Sequence, residues 1–187
     1  MFGLIKKRQQ PVEVVDVTSR RLNSFQGKYF IGQTEMLIME GQQQNAWGGL
    51  FNPAASGVAL FLDIFTISNY SSQFFSAEIW LNPKLARKGN TSSLVHPANL
   101  ALNPQAEPKV KLQYDCQIND VPLGGVNVMN RIVPPNSTFM SDPGKGGIIL
   151  PPGGAIAVFL KSPGPFKYES RIAFRWREEN HSDGGPQ

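Results

Sequence analysis

Two histidines, His96 and His181, one cysteine, Cys116, and two carboxylates set inside apolar runs, Asp63 and Glu78, are the residues of this chain best suited to chemistry. Their spacing supports little of it. A metal-bearing β-barrel enzyme clusters two or three histidines on its strands, which this chain cannot supply, so no metal and no cofactor is expected. A nucleophilic site would have to bring His96 beside Cys116 or a serine, and nothing in the spacing arranges that. Asp63 and Glu78 would serve a glycosidase only if they faced each other about 5–10 Å apart. Pairing with arginines such as Arg171, Arg175 or Arg177 is the simpler expectation. The glycine-rich run Ser141-Asp142-Pro143-Gly144-Lys145-Gly146-Gly147 lacks the phosphate-loop spacing and the Ser or Thr after its lysine, so it reads as a turn. Trp47, Trp80 and Trp176 could form a sugar-stacking platform, although Trp176 reads as core and exposed aromatics also mark subunit contacts. No catalytic residue is expected, and the chain is read as a non-enzyme.

The elements that would have to carry such residues are strands. Gly57 to Ser68 is apolar at both parities. One face carries Val58, Leu60, Leu62, Ile64 and Thr66, and the other Ala59, Phe61, Asp63, Phe65 and Ile67. A strand with one wet face alternates apolar and polar residues. Both faces of this one therefore need cover. Ala155 to Lys161 has the same character. Asn69 to Ser72 reads as a hairpin loop leading into Gln73 to Leu81, with Phe75, Ala77, Ile79 and Leu81 inward and Phe74 and Trp80 on the other face. Ser162 to Pro165 reads as the turn of a second hairpin, returning with Tyr168, Ile172, Phe174 and Trp176 inward. Lys109 to Cys116 alternates, with Val110, Leu112, Tyr114 and Cys116 inward. Residues 82–108 are irregular and proline-rich. No run of about ten residues has helical period.

The chain has 187 residues, enough for one domain with a substantial core and no need of disulfides. The fold class expected is all-β: a two-sheet antiparallel β-sandwich of jelly-roll type, about eight strands, with an N-terminal extension. Residues 1–27 form an arm, 28–177 the sandwich and 178–187 a polar tail. The net charge is +4, and it sits in the arm. Residues 1–30 carry six basic and two acidic groups, while the rest of the chain is balanced at twelve of each. A neutral body speaks against nucleic acid as a partner. The start of the chain has no signal-peptide pattern and no run reaches the length of a membrane span, so synthesis in the cytoplasm without membrane insertion is expected.

Asn45-Ala46-Trp47-Gly48-Gly49-Leu50-Phe51-Asn52-Pro53, Ser56-Gly57-Val58, Ala77-Glu78-Ile79-Trp80, Arg131-Ile132-Val133-Pro134-Pro135-Asn136-Ser137 and Leu150-Pro151-Pro152-Gly153-Gly154 together resemble an uncharacterised family of small single-domain proteins from spore-forming Firmicutes. These are turn and strand residues, and the resemblance implies no active site. The layout is also similar to that of endospore appendage pilins. Their arm carries cross-linking cysteines, and residues 1–27 of this chain contain none.

Function follows by elimination. The chain is expected to be a self-assembling structural subunit of a filament or surface layer, with itself as partner, no small-molecule substrate and a final place on a spore or cell surface. Its subunit contacts are expected at Phe2, Leu4, Ile5, Val12, Val14 and Val17 of the arm and at Phe61, Phe65, Phe74 and Trp80 of the sheets. A viral or phage capsid or decoration protein and a carbohydrate-binding module are the alternatives.

Overall fold

In the computed structural model, residues 19–141 and 147–181 are described. A short helix, α1 (Ser19–Phe25), precedes thirteen strands: β1 (Tyr29–Gln33), β2 (Leu37–Glu40), β3 (Asn45–Phe51), β4 (Val58–Asn69), β5 (Phe75–Leu81), β6 (Asn90–Thr91), β7 (Val95–Pro97), β8 (Lys111–Ile118), β9 (Val126–Val133), β10 (Ser137–Met140), β11 (Ile148–Leu150), β12 (Ala155–Lys161) and β13 (Lys167–Asn180). They form two antiparallel sheets. One runs β10-β4-β13-β1-β7, with β11 also on β4 and β2 also on β13; the other runs β6-β8-β3-β12-β5-β9. This is the expected two-sheet sandwich. The first strand begins at Tyr29, with α1 in the stretch before it, and β13 continues to Asn180 rather than stopping at Arg177.

The two long hairpins expected from sequence are not hairpins. β4 and β5 lie in opposite sheets, as do β12 and β13. Each pair is an arch that crosses the sandwich, and the two arches lie side by side, β4 on β13 and β5 on β12. The corner after β4 explains the difference. Asn69, buried, donates its side-chain amide to the carbonyls of Gln73, Val133 and Pro134, and its Oδ1 accepts from the Ser71 amide. Those bonds supply partners for a chain leaving one sheet for the other, where a hairpin ladder would have used them.

β4 is apolar at both parities because its inward face changes parity. Its ladder with β13 shifts between Arg175 and Trp176, which stand opposite Ile64 and Leu62 and leave Asp63 as the extra residue. Before this bulge the core takes Val58, Leu60 and Leu62; after it, Phe65 and Ile67. Phe65 therefore belongs to the core and Ile64 to the outer side, the reverse of strict alternation. At the bulge, Asp63 accepts a hydrogen bond from the Tyr29 hydroxyl.

β12 is buried from Ala155 to Leu160 for another reason. Its inner residues Ile156, Val158 and Leu160 enter the main core. Its outer residue Phe159 joins Trp47 and Ile118 in a second cluster, packed by Phe51, Trp80 and Leu85. The irregular segment after β5 thus folds over the outer face of its own sheet. The fit leaves no room at Gly89, where a Cβ would lie 2.4 Å from the Trp47 ring. At Gly48 a Cβ would lie 2.5 Å from Thr34 Cγ2 between the sheets.

Candidate functional site

The strand that ends the second sheet, β9, is the element whose exposure the fold leaves unexplained. Gly124 and Gly125, both at positive φ, turn the chain into it; a Cβ on Gly125 would lie 2.6 Å from the carbonyl oxygens of Leu81 and Asn82. β-Branched residues at 126, 128, 132 and 133 favour an extended backbone. Pro134-Pro135 ends it. One side of β9 pairs with β5 from Val126↔Leu81 to Val133↔Phe75. Among the described residues nothing pairs with its other side.

An exposed row of unpaired N–H and C=O groups is a template for another strand. Val126, Val128 and Ile132 are 61%, 45% and 69% exposed along it. Phe74, 48% exposed and just before β5, shares the outer face with Ile132, which stands opposite Ser76, whereas Val126 stands opposite Leu81 on the other face. The edge is only partly blunted. Val128 is the extra residue of a bulge, closed by Asn127, whose Oδ1 accepts from the Met129 amide and whose amide donates to Asn130 Oδ1 at 2.9 Å. Arg131 turns toward the core side, with its guanidinium 5.6 Å from the Phe139 ring centroid. The five residues Met129–Val133 keep a regular ladder with β5.

The remaining edges are short or carry charge. β6, β7, β10 and β11 have two to four residues each. β8, largely uncovered by β6, bears Lys111 and Asp115, and Arg87 sits 3.7 Å from Asp115 and 3.4 Å from Asp120.

The other expected site residues are dispersed. Phe2, Leu4, Ile5, Val12, Val14 and Val17 lie outside the described residues. Phe61 is half-buried beneath Arg177, whose guanidinium lies 4.0 Å from its ring centroid. Phe65, 2% exposed, packs with Phe139 and Phe174 inside the protomer and is not free for a subunit contact. Trp80 is half-buried at the second cluster, donating its indole N–H to Glu78. Of the four sheet residues, only Phe74 stays openly exposed. Trp47 and Trp176 are buried, which dismantles the tryptophan platform. Asp63 and Glu78 lie in opposite sheets and do not face each other. Glu78 binds Lys161 at 2.8 Å rather than an arginine.

Sequence reading missed two sites of buried polar chemistry. Glu178, assigned to the tail, is 6% exposed and accepts hydrogen bonds from the Lys109 and Val110 amides and the Trp176 indole, joining the end of β13 to the chain entering β8. Its signal is parity: Trp176 reads as inward, and Glu178 lies on the same side of the strand. The second is the Tyr29 hydroxyl, which burial and then the bond to Asp63 hold above its ordinary pKa. Arg175 lies over the Tyr29 ring and acts in the opposite direction.

Among the described residues no group of three His, Cys, Asp or Glu side chains could hold a metal ion, and Cys116 is a half-buried free thiol packed on the core. No described helix is long and apolar enough to cross a membrane. The comparison with protein families decides the kinship. The chain belongs to a family of unknown function, DUF6143, whose model matches residues 2–182. The match takes in almost all of the supposed arm as well as both sheets, a wider span than the turn and strand motifs indicated. No curated protein and no solved structure matches the chain.

Proposed function

We propose that this DUF6143 protein is a structural subunit that associates with copies of itself, using β9 as the pairing edge. The reading rests on one observation: an eight-residue edge strand with an unpaired side, lined by exposed Val126, Val128 and Ile132. Pairing of that edge with a second copy would satisfy its backbone groups and cover exposed aliphatic side chains on both faces of the strand. A contact to a different edge of the next copy would continue into a filament or ring, whereas β9 to β9 would close a dimer. A filament or surface layer of the spore-appendage or coat kind is the assembly we favour, with residues 1–18 adding contacts between copies.

The near-neutral body and the burial of Trp47 and Trp176 favour this reading over a nucleic-acid-filled capsid or a sugar-binding module. The test is negative-stain electron microscopy of the purified full chain, of Val128→Lys/Ile132→Lys, and of the chain lacking residues 1–18. Ordered polymers are expected from the full chain, dispersed particles from the lysine variant, and shortened polymers or small rings from the truncation. Dispersed monomers from the full chain across salt and pH would overturn the reading.

A further inference from the structure

The free edge of β9 borders a second feature. On the side where β9 faces β10 and β11, the two sheets leave a slot of about 360 Å³ between them. Leu62 and Phe65 form its floor, and Met129, Phe139 and Ile148 its walls. The first two are buried core residues and the other three pack on the same core, so the apolar interior reaches the surface here. The volume lies within the range of about 300–1,000 Å³ of small-molecule sites.

Among the described residues, one cation stands at the mouth. Arg131 occupies the core-facing position opposite Ala77, and its guanidinium lies over Phe139. One of its N–H groups is taken by its own chain, Nη1 to the Asn130 carbonyl at 2.7 Å. Among the described residues no carboxylate pairs with it, and no Asp or Glu lines the slot. The Ser141 hydroxyl beside it is already engaged, with Phe65 N at 2.9 Å and Phe65 O at 3.0 Å. The remaining guanidinium donors are therefore the polar handle of an otherwise apolar recess. A planar fork of this kind matches a carboxylate.

We propose that this slot binds a carboxylate amphiphile: an aliphatic chain in the recess, with its carboxylate on Arg131. The proposal does not rest on self-association: its observations concern the space between the sheets, and the pairing reading concerns the β9 edge that borders it.

Isothermal titration calorimetry of the full chain with decanoate, decanol and decyltrimethylammonium tests it. Decanoate should bind at least tenfold more tightly than decanol, and the ammonium should give no saturable heat. Arg131→Met, which keeps an apolar stem at an exposed position, should bring decanoate down to the level of decanol and leave decanol within twofold. Ile148→Trp should block decanoate and decanol alike, with an unchanged far-ultraviolet circular dichroism spectrum and a cooperative urea transition as its folding check. Equal affinities for decanoate and decanol, no heat from either, or decanoate binding unchanged in Arg131→Met would each overturn the proposal.

Discussion

Glu178 illustrates how one side chain can fasten two sheets. Two backbone amides and an indole N–H converge on a carboxylate with 6% exposure, and a charged acceptor strengthens each bond. Glu178→Gln keeps the shape but turns an N–H₂ toward groups that are themselves donors. The expected loss is about 2–3 kcal/mol, read as a lower urea midpoint at unchanged slope. Tyr29 poses the complementary case. Burial first, and the Asp63 hydrogen bond second, raise its pKa above the ordinary value of 10.0. Its folded pKa exceeds its unfolded one, so its contribution is complete below about pH 10 and is lost as pH rises through the folded value. Tyr114 and Tyr168 shift in the same direction, both chiefly by burial. Stability should therefore hold from about pH 8 to pH 10 and decline above it, and Tyr29→Phe should decline less steeply while starting about 1–2 kcal/mol lower.

At the scale of elements, a bulge can make one strand look greasy on two sides. Phe65 and Phe74 are a direct check. Phe65→Ala opens a core cavity and should cost about 3–5 kcal/mol of protomer stability. Phe74→Ala, at an exposed position, should stay within about 0.5 kcal/mol. A Phe65→Ala cost as small as that of Phe74→Ala in denaturant melts would reject the parity switch at Asp63. The alternating strands were legible from sequence: Phe75, Ala77 and Ile79 in β5, and Tyr168, Ile172, Phe174 and Trp176 in β13, face the core as their period requires. The arches were not, because Asn69-Tyr70-Ser71-Ser72 has the composition of a hairpin turn. Only the buried amide of Asn69, bonded to Val133 and Pro134 far along the chain, distinguishes it. The cover over β12 was equally hidden, since no local pattern says that Leu85 and Ile118 will meet Phe159. The free edge could not be read either. Strand order is a long-range property, and β9 has no sequence mark that separates an edge from a centre, apart from Asn127 and Asn130, which suit a bulge.

At the scale of the whole molecule, the case for a building block changes its footing. Both long apolar strands satisfy much of their surface within the protomer, β4 by its bulge and β12 by the segment folded over Phe159. The expectation drawn from two-sided apolarity thus gives way to a narrower one, carried by β9. A neutral body favours it, because like charges would not hold copies apart. Amide hydrogen exchange tests that claim most directly. At low concentration, the β9 amides that do not bond to β5 should exchange quickly. At concentrations where the chain assembles, those same amides of residues 126–133 should become protected, and Val128→Lys/Ile132→Lys should abolish the change. Assembly of the full chain with β9 amides exchanging as fast as in the dilute protein would contradict the account.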